Sequence, residues 1–217
     1  SWDMLPESAI STITLVPGSN PMYGMNTLAG ALVMTTKNGI THEGGEVEVS
    51  GGSFGRIRTD VGMGKKLANG YHLYVAATGF REDGWREKSD SKLANAFIKY
   101  GRETEKTNWD FSFTTGAGDL KGNGLLPREQ YLTAYRNGYT FSDITKTTAQ
   151  QLAFNFAHKL SNEEKISLVT WVRHAKRTGS TGDVNGAYLD NCLTAPYDCS
   201  AGGVGSALIN KNEAKYY

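Results

Sequence analysis

The sequence predicts a mainly β chain: an antiparallel up-and-down transmembrane β-barrel, partial and open in this segment, preceded by the end of a small N-terminal domain. Three observations predict it. From residue 46 onward apolar and polar residues alternate with period 2 in run after run, and no helical period of comparable length occurs. Short and long connectors alternate along the chain. The runs are about ten residues long, enough to cross a bilayer at a tilt.

Composition agrees with this class. Of 217 residues, 39% are hydrophobic and 21% charged, so the chain is neither disordered nor uniformly oily. Glycine is frequent at 26, proline scarce at 5 and tyrosine the commonest aromatic at 11, the balance of a β chain rich in turns. A net charge of +1 gives no argument for nucleic acid. No run of about 18 apolar residues marks a membrane helix. The opening "SWDMLPESAI" has neither the basic nor the apolar region of a signal peptide and no initiator Met, so the chain reads as a piece of a longer one.

The elements follow in order. "LPESAI" (5–10) suits one helical turn with Pro6 at its start. "ISTITLV" (10–16) and "GALVMTT" (30–36) read as strands joined by a glycine-rich loop, and 41–45 as a linker. Val47 and Val49 then alternate with glutamates. Ile57, Thr59, Val61 and Met63 alternate with Arg56, Arg58, Asp60 and Gly62. Residues 71–81 and 93–100 alternate less cleanly. Trp109, Phe111 and Phe113 alternate with Asn108, Asp110 and Ser112, and Leu152, Phe154 and Phe156 with Gln151, Ala153 and Asn155. "EKISLVTWVRHA" (164–175) follows. Residues 1–40 form the first unit and 41–217 the second, with about seven strands and the start of an eighth.

The connectors at 67–70, 103–107 and 161–163 are short, and Asn69-Gly70 is a hairpin signal. Those at 82–91, 116–145 and 176–212 are long. An up-and-down sheet gathers every short turn at one end and every long loop at the other, as outer-membrane barrels do. A soluble β-sandwich also alternates, but its loops are short at both ends. Here one face is apolar and aromatic while the other carries charge, which suits lipid outside and a wet lumen inside.

The segment "ITLVPGSNPMYGMNTLAGALVMTTKNG" resembles the end of the plug domain of TonB-dependent outer-membrane receptors. The resemblance rests on a strand, Pro17-Gly18, a short variable loop, Tyr23-Gly24, a small-residue turn at Ala29-Gly30-Ala31 and a strand ending in Thr36-Lys37. "GGSFGR" (51–56) and "FREDGWREKSD" (80–90) extend it. It departs mildly in having one glycine within Ala29-Gly30-Ala31 where the family has two. The resemblance implies a larger barrel of about 22 strands, filled by a plug. It implies a protein of the Gram-negative outer membrane, in contact with its lipid, with no cofactor and no covalent chemistry. A TonB complex of the inner membrane would act through a TonB box that this piece does not contain. The ligand is a small molecule, a metal chelate by family precedent and an iron–siderophore as the commonest case. Vitamin B12, haem, nickel chelates and oligosaccharides stay open. A passive porin or adhesin barrel is the alternative, and a soluble carbohydrate-binding sandwich a third.

Glycine at 18 and 24 suits tight turns with positive φ, Pro17 ends a strand because it has no N–H to donate, and small residues at 29–31 let a plug strand lie near the wall. The segment 10–37 is expected against the polar face of an open sheet. The resemblance brings Tyr23 toward the ligand chamber. The 116–145 loop carries "LLPREQYLTAYRNGYTF"; if a helical turn forms, Arg128, Tyr131 and Tyr135 share a face. That set is either a self-packed cover over the barrel mouth or an aromatic and cationic ligand wall, with Arg81 and Trp85 at its rim.

Other motifs lead elsewhere. "GGSFG" (51–55) matches a nucleophile elbow, but a period-2 run follows where that motif needs a helix. His42, His72, His158 and His174 have no zinc-ligand spacing, and "TGDVNGAYLDN" (181–191) lacks the acidic spacing of a calcium loop. Cys192 and Cys199 are the only cysteines. In an intracellular enzyme they would suggest metal or redox roles; in an outer loop that matured through an oxidising periplasm they are expected to form a disulfide.

Overall fold

The computed structural model describes residues 4–19, 29–124, 126, 128–138, 143–184 and 207–216. A two-stranded antiparallel hairpin comes first, β1 (Ile10–Pro17) with β2 (Gly30–Thr36). An eight-stranded sheet follows, with strands in sequence order: β3 (Gly44–Gly51), β4 (Ile57–Lys66), β5 (Tyr71–Glu82), β6 (Ser91–Glu103), β7 (Thr107–Gly122), β8 (Asp143–Lys159), β9 (Lys165–Val184) and β10 (Ala207–Tyr216). Every neighbouring pair is antiparallel. Strands β3 and β10 are the edges and do not pair with each other, so the sheet is open. This is the up-and-down partial barrel that alternation predicts.

Register assigns each residue a face, because side chains alternate along a strand. One face carries Asp60, Tyr74, Thr78, Asn95, Phe97 and Lys99, all buried. The other carries Val61, Met63, Ile98, Tyr100, Phe111, Phe113, Leu152 and Leu168, all large and exposed. An exposed apolar face this continuous marks contact with a membrane or a partner. At the short-turn end it closes in a belt of rings. Tyr71 stacks on Tyr100 at 6.0 Å, Trp109 meets Tyr100 edge-on at 5.9 Å, and Arg102 lies 5.0 Å over Tyr71. Amphipathic rings of this kind sit at a lipid–water boundary.

At the opposite end the strands outrun the sequence reading. β7, β8 and β9 are 16, 17 and 20 residues long, where a bilayer needs about 9–11. Residues 116–122, 143–145, 176–184 and 207–212 were expected in loops and are paired strand instead. Their apolar and polar residues do not alternate, so hydrophobic periodicity does not mark them; cross-strand backbone hydrogen bonds do. The long connectors therefore shrink to 123–142 and 185–206.

The N-terminal segment docks on the polar face. A 3-10 turn, Glu7–Ala9, packs Ala9 against Tyr74, Ala76 and Phe97, and Met4 packs against Ala149 and Ala175. The hydroxyl of Tyr74 donates to Ser8 O at 2.6 Å, and Ser8 Oγ donates to Val61 O at 3.1 Å. Lys37 forms an ion pair with Glu46, its backbone N donates to Ala9 O at 2.8 Å, and Asn38 Nδ2 reaches Glu103 Oε1 at 3.0 Å. Residues 4–9 and the end of β2 thus make the contacts expected of the whole of 10–37. The body of the hairpin does not: Leu15 is 71% exposed. The hairpin satisfies its own backbone by pairing, so only its Thr36 end needs to reach the wall, where Lys99 Nζ donates to Thr36 O at 3.5 Å.

Candidate functional site

The long-connector end of the sheet holds the candidate site. Residues 83–90 turn between β5 and β6 with Gly84 and Lys88 at φ 80° and 53°. Lys121 and Asp90 clamp their base at 2.8 Å. The ammonium of Lys121 holds the Asp90 carboxyl below its ordinary range, by hydrogen bond first and charge second.

Arg86 then ties this turn to the next loop. Its Nη1 donates to Gly124 O at 2.8 Å and its Nη2 to Asn137 O at 2.7 Å, so one guanidinium grips both ends of the 124–137 stretch. The planar fork suits the task; a lysine ammonium is a single point. Arg136 Nε donates to Trp85 O at 3.0 Å, Glu87 N to Arg136 O at 2.8 Å, and Asn123 Nδ2 to Glu87 O at 2.7 Å.

This lacing stacks Trp85 on Tyr135, with ring centroids 6.5 Å apart and planes 19° from parallel, while both rings stay about half exposed. The expected helical turn forms as α1 (Arg128–Ala134). Arg128 and Tyr131 are exposed on it, and Tyr135 follows its last turn. The structure therefore brings Trp85 and Tyr135 together and sets Arg128 and Tyr131 on the adjoining helix.

Other expected site residues fall elsewhere. Arg81 pairs with Ile57 and Lys92 and shares their face, turned away from the docked N-terminal segment. The strict alternation of β5 decides this, with Phe80 on the inner face and Arg81 on the outer one. Pro17 and Gly30 pair at the end of the β1–β2 hairpin, and Gly18 has φ 85°. Gly30 is small for a different reason than expected. At φ 148°, a Cβ there would lie 2.7 Å from Val16 O, so the close approach is to its own partner strand and not to the wall. Tyr23, Gly24, Cys192 and Cys199 lie outside the described residues.

Below the loops, the inner face shows groups that the sequence reading noted only as a charged face. Arg56 lies 5.5 Å over the Phe80 ring and 3.6 Å from Glu82. Arg58 holds Asp60 through two bonds of 2.6 and 3.0 Å, and Asp60 also accepts from Thr78 Oγ1 at 2.5 Å. Arg58 reaches Glu7 of the docked segment at 3.2 Å. A cavity of about 190 Å³ lies here among Met4, Arg56, Arg58, Phe80 and Leu93. At the start of β4 the turn holding "GGSFG" continues directly into strand, so Ser53 does not precede a helix.

No family model matches the sequence, and no curated protein matches it. Two solved structures are similar in fold. The ferric-catecholate import receptor Fiu from E. coli K12, in its closed form, matches over 96% of this chain and 31% of its own, with a TM-score of 0.72 and 15% identity. The siderophore receptor PiuA from Acinetobacter baumannii matches over 82% of this chain and 27% of its own, with a TM-score of 0.63 and 19% identity. The chain thus has the fold of a part of these receptors and spans less than a third of the length of either.

Proposed function

We propose that the chain is the end of the plug and the first eight strands of the barrel of a TonB-dependent receptor. The receptor imports a scarce metal chelate, an iron–siderophore in the first instance, across a Gram-negative outer membrane. One observation carries this reading: an open antiparallel sheet, apolar on its outer face, holds an N-terminal segment on its polar inner face through Met4, Ser8 and Ala9, beneath a laced pair of long loops. The likeness to two siderophore receptors supports it.

Ligand is read at the mouth. The Trp85–Tyr135 stack offers flat faces, and Arg128 and Arg56 offer positive charge, the complement of a flat anionic chelate. Tyr23 of the plug loop completes the chamber. TonB, acting on the plug, would break the contacts of Ser8, Lys37 and Asn38 with the wall. A passive porin has no use for a docked segment in its lumen.

The test is uptake of radiolabelled iron–siderophores by cells lacking other receptors and expressing the full-length protein. Uptake abolished by a protonophore supports active import. Uptake indifferent to the protonophore supports the porin reading and ends this one.

A further inference from the structure

The outward face of β6–β9 carries a column of groups that a purely lipid-facing wall would not. Ala96, Thr115, Gln150 and His174 are cross-strand partners in one row. One step toward the long loops the row is Ala94, Ala117, Thr148 and Lys176, and the next is Lys92, Asp119, Lys146 and Thr178. All share the face of Phe113 and Leu152. The three alanines add little bulk, and a notch of about 480 Å³ opens between Ala94, Ala96, Thr115, Gln150 and His174.

Depth makes the column informative. Thr115 lies six residues from the belt ring Trp109, which at the usual rise and a 45° tilt is about 14 Å along the membrane normal. Asp119 lies ten residues from it, about 24 Å, close to the height of an apolar barrel band. So Gln150 and His174 face the hydrocarbon, where polar side chains are costly, while Lys92 and Lys146, level with Asp119, lie at the lipid–water boundary and Lys176 rises to it from one row below. Cations outnumber acids there: Arg81, Lys92, Lys146, Lys176 and Lys215 against Asp119 and Glu213. Lys146 reaches Asp119 only at 3.6 Å, and Lys176 shares Glu213 with Lys215 at 3.1 and 3.8 Å.

We propose that this column docks one phosphorylated glycolipid of the outer leaflet. Its phosphate sits among Lys92, Lys146 and Lys176 in charge-assisted hydrogen bonds. The amide, ester or hydroxyl groups at the root of its chains meet Gln150 and His174. One chain fills the notch over the alanines. The occupant is a lipid because the cations lie directly above a membrane-deep hollow floored by alanines and edged by Thr115, Gln150 and His174, which a free phosphate would not use. The inference rests on the membrane-crossing reading above.

The experiment is native mass spectrometry of the full-length receptor in mild detergent, titrated with bisphosphorylated lipid A, dephosphorylated lipid A and phosphatidylglycerol. Lipid A is expected to bind most tightly. A Lys92→Gln, Lys146→Gln, Lys176→Gln triple variant should lose about tenfold in affinity for it, roughly 1.4 kcal/mol, with no change toward the dephosphorylated form. Gln150→Leu with His174→Leu should weaken both forms of lipid A. The leucines suit a lipid-facing wall, so unchanged barrel melting on heated gels checks that the fold is intact. Equal affinity of wild type and triple variant for lipid A, or equal binding of all three lipids, overturns the proposal alone. A receptor that stays soluble without detergent and binds none of them overturns the membrane reading too.

Discussion

The hydroxyl of Tyr74 donates to the carbonyl of Ser8 at 2.6 Å, joining the barrel wall to the docked segment across 66 positions of sequence. Tyr74 is 2% exposed, and removing its hydroxyl leaves the part-buried Ser8 carbonyl without this partner. Such a loss costs about 1–3 kcal/mol. Tyr74→Phe in the full-length protein should raise amide hydrogen exchange of residues 7–10 roughly 5- to 150-fold and leave β6–β8 unchanged. Exchange at wild-type rates in residues 7–10 would mean that Ala9 and Met4 packing alone holds the segment.

Arg86 is expected to govern the mouth. Arg86→Lys keeps the charge but cannot donate to Gly124 and Asn137 at once. Site-directed spin labels in the 83–90 and 124–137 stretches should then report a broader distance distribution than in wild type, and affinity for the chelate proposed as ligand should fall about tenfold. A distribution as narrow as that of wild type would assign the lacing to Arg136 and Asn123 instead.

The Trp85–Tyr135 stack should show as coupling. Offset ring pairs contribute about 0.5–1.5 kcal/mol beyond their burial. In a double-mutant cycle of Trp85→Ala and Tyr135→Ala, scored by affinity for the chelate proposed as ligand, the double variant should therefore lose less than the two single losses added together. Strict additivity would separate the two rings functionally.

Acid should loosen the turn before β6. Lys121 depresses the Asp90 carboxyl, so its contribution is fully present above the unfolded carboxylate pKa of about 3.9 and is lost as pH falls through the lower folded value. Both groups are partly exposed, so the effect is small. Protease sensitivity of 83–90 should rise below about pH 4 in wild type, and Asp90→Asn should show the raised sensitivity already at pH 7. A variant indistinguishable from wild type at neutral pH would count against the clamp.

Backbone geometry gives the last test. Gly30 has φ 148° and no room for a Cβ beside Val16 O. Gly30→Ala should disrupt the β1–β2 pairing and lower the yield of folded full-length protein, whereas Gly79→Ala, with open space around its Cβ position, should fold normally. Equal yields would show that the hairpin end can shift.

Alternation along Trp109–Phe113 and Leu152–Phe156 made the sheet and its apolar face legible in the sequence, because an apolar face on one side and a polar face holding the docked segment on the other impose opposite chemistry on successive residues. Asn69-Gly70 likewise marked its hairpin, since both residues take the positive φ that the turn demands. The Arg128–Tyr131–Tyr135 spacing left a helical turn open, and α1 forms over Arg128–Ala134, with Tyr135 just beyond it. Where apolar and polar residues no longer alternate, as over 116–122 and 176–184, periodicity vanishes, and only pairing with a neighbour reveals a strand. The face of Arg81 turned on a register that a single residue inverts. The stacking of Trp85 on Tyr135, the grip of Arg86 on Gly124 and Asn137, 38 and 51 positions away, and the seating of Ser8 on Tyr74, 66 positions away, join distant parts of the chain. Local pattern is written by the solvent on each side of a strand. These contacts depend on which loops the closed-up strands bring side by side, and that is decided only in three dimensions.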